Sequence, residues 1–340
     1  MGANTRTDRT LPSQFDDRLM AAIGLTLLAA LIPFFVSEYV RTLIQRCLLW
    51  IPPIFGVYFI YSLLRQVHFA QSIFIGLGSY IVAFLAGKYF LTSELLILLP
   101  LSLLASVVVA YVLGIFIMRR TGFYFAIMGI AVTMVFWSLV YKMRQLTGGS
   151  DGISDIKNPT LLGVQLSEQG FYYICLLISL GLILLMHRIL HSPFSMQLKA
   201  IRGDLQKAES IGIPVHQMRR LAFVVAGANA GLSGVLLAFL YNYVGPTSFA
   251  WEFGAQFVQA AIIGGVNYFV GPIVGAFAFV GLEFLVSTWF PNLWEIVIGV
   301  TVALIVVTVG EEGVTGIAKN VLVRAFKGIN LKERTYSDGK

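Results

Sequence analysis

The ionisable side chains of this sequence are few and scattered, and they assemble no catalytic set. The four histidines stand at His68, His187, His191 and His216. Only His187 and His191 share helical spacing, and two ligands without a third do not hold a metal. Their half-polar rings suit a membrane–water boundary better. Cys47 and Cys175 lie in apolar runs and offer neither a disulfide framework nor a metal motif. The glycine-bearing "TGGSDG" lacks the lysine and the strand–helix setting of a phosphate-binding P-loop, so the sequence has no such means of holding ATP. No hydroxyl, thiol or amine is spaced against a base in a nucleophilic arrangement.

The chemistry that remains is that of polar groups inside apolar segments. Glu283 and Arg46 each interrupt an apolar run, where an unpaired charge is costly. Two readings stand for each: a contact along a solute pathway or between subunits, and a structural pair or a side chain reaching for the membrane surface. Glycines carry more information. Gly227 and Gly231, like Gly271 and Gly275, are four apart, the spacing that lets helix backbones approach in lipid. Gly264-Gly265 and Gly76-x-Gly78 are placed to interrupt helices and expose backbone groups to a solute in mid-membrane. Plain helix packing is the competing reading. Phe74, Gly76, Gly78, Tyr80, Gly264, Gly265 and Asn267 form the candidate pathway set, and Asn267 is its most polar member.

These positions need a membrane frame, and the composition supplies it. The 340 residues are 57% hydrophobic and 12% charged, about half the charge of a soluble domain. Ten apolar spans are expected near 19–36, 43–64, 73–88, 95–118, 123–141, 170–187, 221–244, 255–270, 273–290 and 293–309. The third and eighth are short and glycine-bearing, as broken or re-entrant helices are. No cleavage site follows the first run, so it is expected to be retained. The fold class is therefore an all-α polytopic bundle, and no internal repeat stands out. With the N-terminus inside, 18 of the 24 Lys and Arg residues fall on the cytoplasmic side, which places both termini there. The basic residues thus report orientation, not nucleic-acid binding. Residues 1–18 and 310–340 become cytoplasmic tails around a transmembrane domain at 19–309. The loop 142–169 lies outside, and the loop 192–220 lies inside.

The inner loop, "SPFSMQLKAIRGDLQKAESIGIPVHQMRR", is unusually charged. Ser192 and Pro193 suit a helix start. Phe194, Leu198, Ile201, Leu205, Ala208 and Ile211 form an apolar stripe, with Lys199, Arg202, Asp204, Lys207 and Glu209 off it. Gly212 is a fitting left-handed C-cap with Pro214 beyond it. One reading is a helix lying on membrane lipid. The other is a docking helix for a cytoplasmic protein, which the mixed charge favours. In the outer loop, Asp151 and Asp155 are placed to meet basic groups of an external partner, or simply to face water.

The stretch "LKAIRGDLQKAESIGIPVHQMRRLAFVVAGANAGLSGVLLAFLYNYVGPTSF" resembles the cytoplasmic loop and following helix of LivM-type permeases. "FIGLGSY", "GFYFAIMGIAVTMVFWSLV", "LTGGSDGI" with "NPTLLG", and "IIGGVNYFVGPIVGA" resemble further motifs of that family, in order, so the likeness runs over about 56–309. It implies a permease subunit of an ATP-binding-cassette importer for branched-chain or other small amino acids. It also implies a homologous permease as heterodimer partner, two cytoplasmic ATPases that bind ATP and Mg, and an extracytoplasmic solute-binding protein. This chain would carry no cofactor and no ATPase site of its own, and would sit in a bacterial inner membrane. By the same resemblance Leu198, Ile201, Arg202, Asp204, Leu205, Ala208, Glu209, Ile211 and Gly212 fall in the ATPase-coupling loop. The sequence departs from the family pattern at Ser62-Leu63-Leu64-Arg65, at His68-Phe69-Ala70, at Gly203, and at Glu311 and Glu312. Those departures bear on the solute, leaving urea, short amides and aromatic or organic acids as alternatives. A rival of another class is an ion-coupled secondary transporter. It calls for clustered ionisable groups in mid-membrane, and Glu283 is nearly alone there.

Overall fold

A computed structural model of the chain describes residues 36–291 and 293–319. The first expected span, 19–36, and most of the C-terminal tail lie outside the described residues. The elements are α1 (Glu38–Leu64), α2 (Gln71–Val82), α3 (Leu95–Ile117), α4 (Phe123–Lys142), α5 (Glu168–Leu190), α6 (Pro193–Gly203), α7 (Leu205–Ser210), α8 (Val215–Tyr241), α9 (Trp251–Gly264), α10 (Gly271–Trp289) and α11 (Trp294–Thr308). A π-helical turn, Ala83–Lys88, prolongs α2. Counting that extension, α1, α2, α3, α4, α5, α8 and α10 are each long and apolar enough to cross a membrane. Nine of the ten expected spans thus coincide with a described helix. The eighth ends at Gly264, short of the expected Val270, because Gly265 turns the chain at φ 103°.

The interior is built where lipid offers no hydrogen bonds, so polar backbone must be satisfied locally. Pro52 inside α1 cannot donate to the Leu48 carbonyl. The Ser179 hydroxyl of α5 donates to it instead, at 2.8 Å. Small residues let α2 and α3 close on α8. Ser79 donates to the Gly234 carbonyl and Ser102 to that of Gly231, each at 2.9 Å. A Cβ on Gly78 would collide with the Gly231 carbonyl. The closeness that brings gains of dispersion and hydrogen bonding thus depends on the missing side chain.

The packing has a hidden symmetry. α8 lies against α2 and α3, and α1 lies in the same manner against α9 and α10. The counterparts run in opposite directions. α1 ends, and α8 begins, at the end that carries α6 and α7. Elements α1–α4 and α8–α11 are therefore two four-helix halves of inverted topology, each donating its first helix to the other. A trace survives in the sequence: Phe69-Ala70 immediately precedes α2, and Phe249-Ala250 immediately precedes α9.

Those two matched positions are where the helices are interrupted. The Gln71 amide donates to the Pro53 carbonyl at 3.2 Å. Pro53 lies eleven residues before the end of α1, about 16 Å at 1.5 Å per residue. The non-helical stretch 65–70 thus climbs back into the bundle before α2 starts. On the other side, residues 245–250 descend until Phe249 packs at Tyr80, 5.6 Å between rings, and Gly254 meets the Phe69 carbonyl. Both half-helices begin side by side in the interior. The eighth span is cut short at Gly265, whereas the third is one continuous helix, Gln71–Lys88, that is not interrupted at Gly76 or Gly78.

Candidate functional site

The loop between α5 and α8 is a folded unit, and its anatomy differs from one continuous helix. It breaks at Asp204, which leaves the helical conformation at φ −160°. The Asp204 carboxylate then accepts the N–H groups of Gln206 and Lys207 at 3.0 and 3.1 Å, capping α7. The Lys207 N–H and its ammonium hold that carboxyl below the usual range. Ser192 precedes α6, but its hydroxyl donates backwards to Ile189 at 2.6 Å and caps nothing. Gly212 takes the expected left-handed conformation, φ 85°.

The apolar stripe faces this chain's own bundle as far as Ala208, and its last expected member, Ile211, turns outward because the chain bends at Gly212. Leu198, Ile201 and Ala208 are buried, and Phe194 stacks on Phe59 of α1 at 6.4 Å. Leu205 is half-buried. The Arg202 guanidinium donates to the Ser62 carbonyl at 2.7 Å, tying α6 to the end of α1. What the unit presents outward is another face: Met196, Lys199, Lys207, Glu209 and, at 73% exposure, Ile211. An isoleucine on a turn fixed by glycine on one side and Asp204 on the other is a preorganised contact point.

Of the candidate pathway residues, Phe74, Gly76, Gly78 and Tyr80 are packed inside α2. Phe74 sits against Gly227, and Phe249 covers Gly76. The other three lie at the end of the bundle that carries α6 and α7. Gly264 touches Gly271 and Gly275, and the Thr315 hydroxyl donates to its carbonyl at 2.5 Å. Asn267 reaches the Glu311 carboxylate. So Gly264-Gly265-x-Asn267 form a corner between α9, α10 and the segment after α11. Gly76 and Gly78 are packed inside a continuous helix, and Gly265 ends α9 against Glu312 and Gly313 at the end of the bundle, not in mid-membrane.

That corner contains what sequence reasoning missed. Arg65, itself left-handed at φ 54°, pairs with Glu311, and the Tyr61 hydroxyl donates to the same carboxylate at 2.8 Å. The hydrogen bond from Arg65 holds the Glu311 carboxyl below its usual range, and Glu311 in turn raises Arg65. Arg65 and Glu311, two positions that the sequence reading set apart, are thus joined in one ion pair. Deeper in, Arg46 of α1 donates through one nitrogen to both oxygens of Glu283 of α10, at 2.8 and 2.7 Å, while its cation lies 5.1 Å from the centre of the Trp50 ring. The structural-pair reading accounts for both charges.

On the opposite end, Asp151 pairs with Arg144 of its own loop at 3.1 Å, and Asp155 stays exposed. More prominent is the hairpin formed by β1 (Thr160–Leu161) and β2 (Val164–Gln165). Its turn residues Leu162 and Gly163 both have positive φ, 54° and 76°, and Leu162 and Val164 are 78% and 68% exposed. The Glu94 carboxylate anchors it by accepting from the Thr160 hydroxyl and, at 3.1 Å, the Gly163 N–H. Those hydrogen bonds hold the Glu94 carboxyl low.

A discontinuous-helix bundle of inverted halves, with a capped loop at one end and no phosphate-binding motif in its sequence, is built as a multi-pass membrane transport subunit. The comparisons agree with that class and narrow it. Residues 54–307 match the model of the branched-chain amino acid transport system permease components, and the chain belongs to that family. It is 25% identical over 269 residues to the high-affinity branched-chain amino acid transport system permease LivM of Escherichia coli, covering 72% of this chain and 63% of that protein. It is 27% identical over 128 residues to the LivH permease of the same organism, 38% of this chain and 41% of that one. The autoinducer 2 import system permease LsrC of Klebsiella pneumoniae is 26% identical over 136 residues, 39% of this chain and 37% of its own. The chain thus spans less than two thirds of the LivM relatives it matches. No solved structure matches it.

Proposed function

We propose that this chain is a permease subunit of an ATP-binding-cassette importer that carries branched-chain amino acids across a bacterial inner membrane by alternating access. It would pair with a homologous permease, take solute from an extracytoplasmic binding protein, and be driven by two cytoplasmic ATPases holding ATP and Mg. Both termini would be cytoplasmic. The observation that carries this reading is the build of the α6–α7 unit. It is capped by Asp204, rooted in the bundle by Leu198, Ile201 and Ala208, and tied to α1 by Arg202, yet it keeps an exposed face with Ile211 at its tip. A lipid-lying helix would turn its apolar stripe to the membrane, whereas here Leu198, Ile201 and Ala208 are buried inside the protein. The exposed face is left for the ATPases, and the Leu162–Val164 hairpin tip for the binding protein.

The test is co-purification from mild detergent followed by solute-stimulated ATP hydrolysis in the reconstituted assembly. Expected are ATPase subunits in the eluate and hydrolysis stimulated by solute-loaded binding protein. Accumulation of solute by this chain alone on an ion gradient would overturn the proposal in favour of secondary transport.

A further inference from the structure

A cleft of about 250 Å³ opens at the end of the bundle opposite the α6–α7 unit, between the starts of α1 and α5, the base of the hairpin and the end of α8. Its charged wall carries Arg41, Glu168 and Glu38 with the amide of Gln45, and its apolar wall carries Phe171 and Phe239. Arg41 pairs with Glu168, but the two partners are unlike. The Arg41 side chain is 13% exposed, and that of Glu168 is 68% exposed. A guanidinium has five donors in a fork that suits a carboxylate. Here a largely desolvated cation is matched by a carboxylate standing mostly in water, and such half-exposed pairs open at little cost. Gln45, only 4% exposed, adds a neutral donor and acceptor at the base.

We propose that this cleft is a receiving site for one small zwitterionic amino acid with an apolar side chain. The ligand's α-carboxylate takes the Arg41 fork, its α-ammonium takes Glu168 and Glu38, and its side chain lies on Phe171 and Phe239. The ion pair is exchanged for two new ones, so the charge balance of the cleft does not change. A carboxylate without an ammonium breaks the pair and leaves Glu168 unmatched, and an ammonium without a carboxylate is held only by the exposed acids and cannot use the Arg41 fork, so each analogue makes fewer contacts than the zwitterion. The volume lies below the ~300–1,000 Å³ of pockets for larger ligands, which limits the occupant to a single small solute. This rests on the transport reading, and it adds a solute contact in the permease itself.

The experiment uses the full permease–ATPase assembly without the binding protein, with radiolabelled leucine as the probe in equilibrium binding. Saturable binding is expected. 4-Methylpentanoate, which lacks the ammonium, and isoamylamine, which lacks the carboxylate, should each compete at least about tenfold more weakly than leucine. That factor corresponds to about 1.4 kcal/mol. Arg41→Gln should weaken binding by about tenfold or more, and the exchange Arg41→Glu with Glu168→Arg should recover part of it. The inference is overturned if leucine does not bind, if Arg41→Gln leaves binding unchanged, or if either analogue competes as well as leucine. Uptake by the wild-type assembly with its binding protein is measured in parallel. Loss of leucine uptake there refutes the transport reading, whereas intact uptake with no direct binding refutes only the receiving site.

Discussion

Exchanging Ile211 and Leu198 separately for serine distinguishes a docking surface from a structural root. Full burial of an isoleucine or leucine side chain contributes about 1.5–3 kcal/mol. Ile211 keeps 73% of its surface exposed in this chain. A partner covering it therefore gains about 1–2 kcal/mol, which is about 5- to 30-fold in affinity. Ile211→Ser should weaken ATPase binding by that factor and leave the permease's own thermal unfolding almost unmoved. Leu198 has no exposed surface, so Leu198→Ser removes a packed side chain at a cost of about 2–5 kcal/mol, and the unfolding temperature of the isolated permease should fall. The assays are titration of purified ATPase onto permease in detergent, and thermal unfolding of the permease alone. If Ile211→Ser leaves the affinity within about twofold, less than the ~1 kcal/mol at stake, the exposed face is not the docking face. If Leu198→Ser weakens ATPase binding while the unfolding temperature stays put, the stripe is the interface and its burial has been misread.

Other perturbations test the surrounding contacts. Gly264→Ala drives a methyl group into the Gly271 carbonyl and to 2.7 Å from the Gly275 nitrogen, so a loss of about 1–3 kcal/mol or more is expected in thermal unfolding. Glu311 is held below the usual carboxylate range by Arg65, so its contribution is complete above the unfolded glutamate value near ~4.3. It disappears as pH falls through the lower folded value, so wild type should lose its advantage over Glu311→Gln only below about pH 4, with nothing changing between pH 5 and 7. Glu283→Leu strands the Arg46 cation and should cost about 3 kcal/mol, with Arg46→Met added to it restoring most of the unfolding temperature. Arg202→Ala cuts the hydrogen bond to Ser62 without touching the outward face. ATPase subunits should still co-purify while the uptake per ATP hydrolysed falls, and unchanged coupling would exclude that bond from the transmission route.

The membrane architecture was legible because lipid imposes it residue by residue. Apolar runs mark spans, and Gly264-Gly265 with a short run marked the eighth as broken, whereas the third, marked in the same way, is continuous over Gln71–Lys88. Gly212 was legible as a cap because a left-handed turn needs it locally. The break at Asp204 left a signal that was passed over, an aspartate after a glycine, which is an N-cap pattern in its own right. The direction of the α6 stripe left none. Amphipathic spacing says that a face is covered, and does not say by what. Arg65 and Glu311 stand 246 positions apart, and no periodicity links such a pair. The inverted halves left little trace because burial asks only for apolar character: α1 and its counterpart α8 are both mostly buried, and many different apolar residues meet that demand.

The exchange of first helices determines which parts can move together. α1 belongs by sequence to the first half, yet ion pairs fasten it to the second, Arg46 to Glu283 within the bundle and Arg65 to Glu311 at its end. α8 belongs to the second half, yet Ser79 and Ser102 fasten its backbone to α2 and α3. By these bonds α1 is tied to α10 and to the segment after α11, and α8 to α2 and α3, while α1 and α8 also pack directly on each other. The α6–α7 unit bridges them, because Arg202 grips the end of α1 while the chain runs on through Gly212 into α8. On the proposed mechanism, a push on its exposed face is felt by both groups at once, at the depth-spanning seam where α2 and α9 begin. The two half-helices meet there through Gly254 and Phe69 and through Phe249 and Gly76. A rotation of one group against the other then shears contacts made largely by glycine and aromatic rings, not by ladders of hydrogen bonds. Such contacts can be remade in a second register without leaving polar backbone unpaired in the membrane.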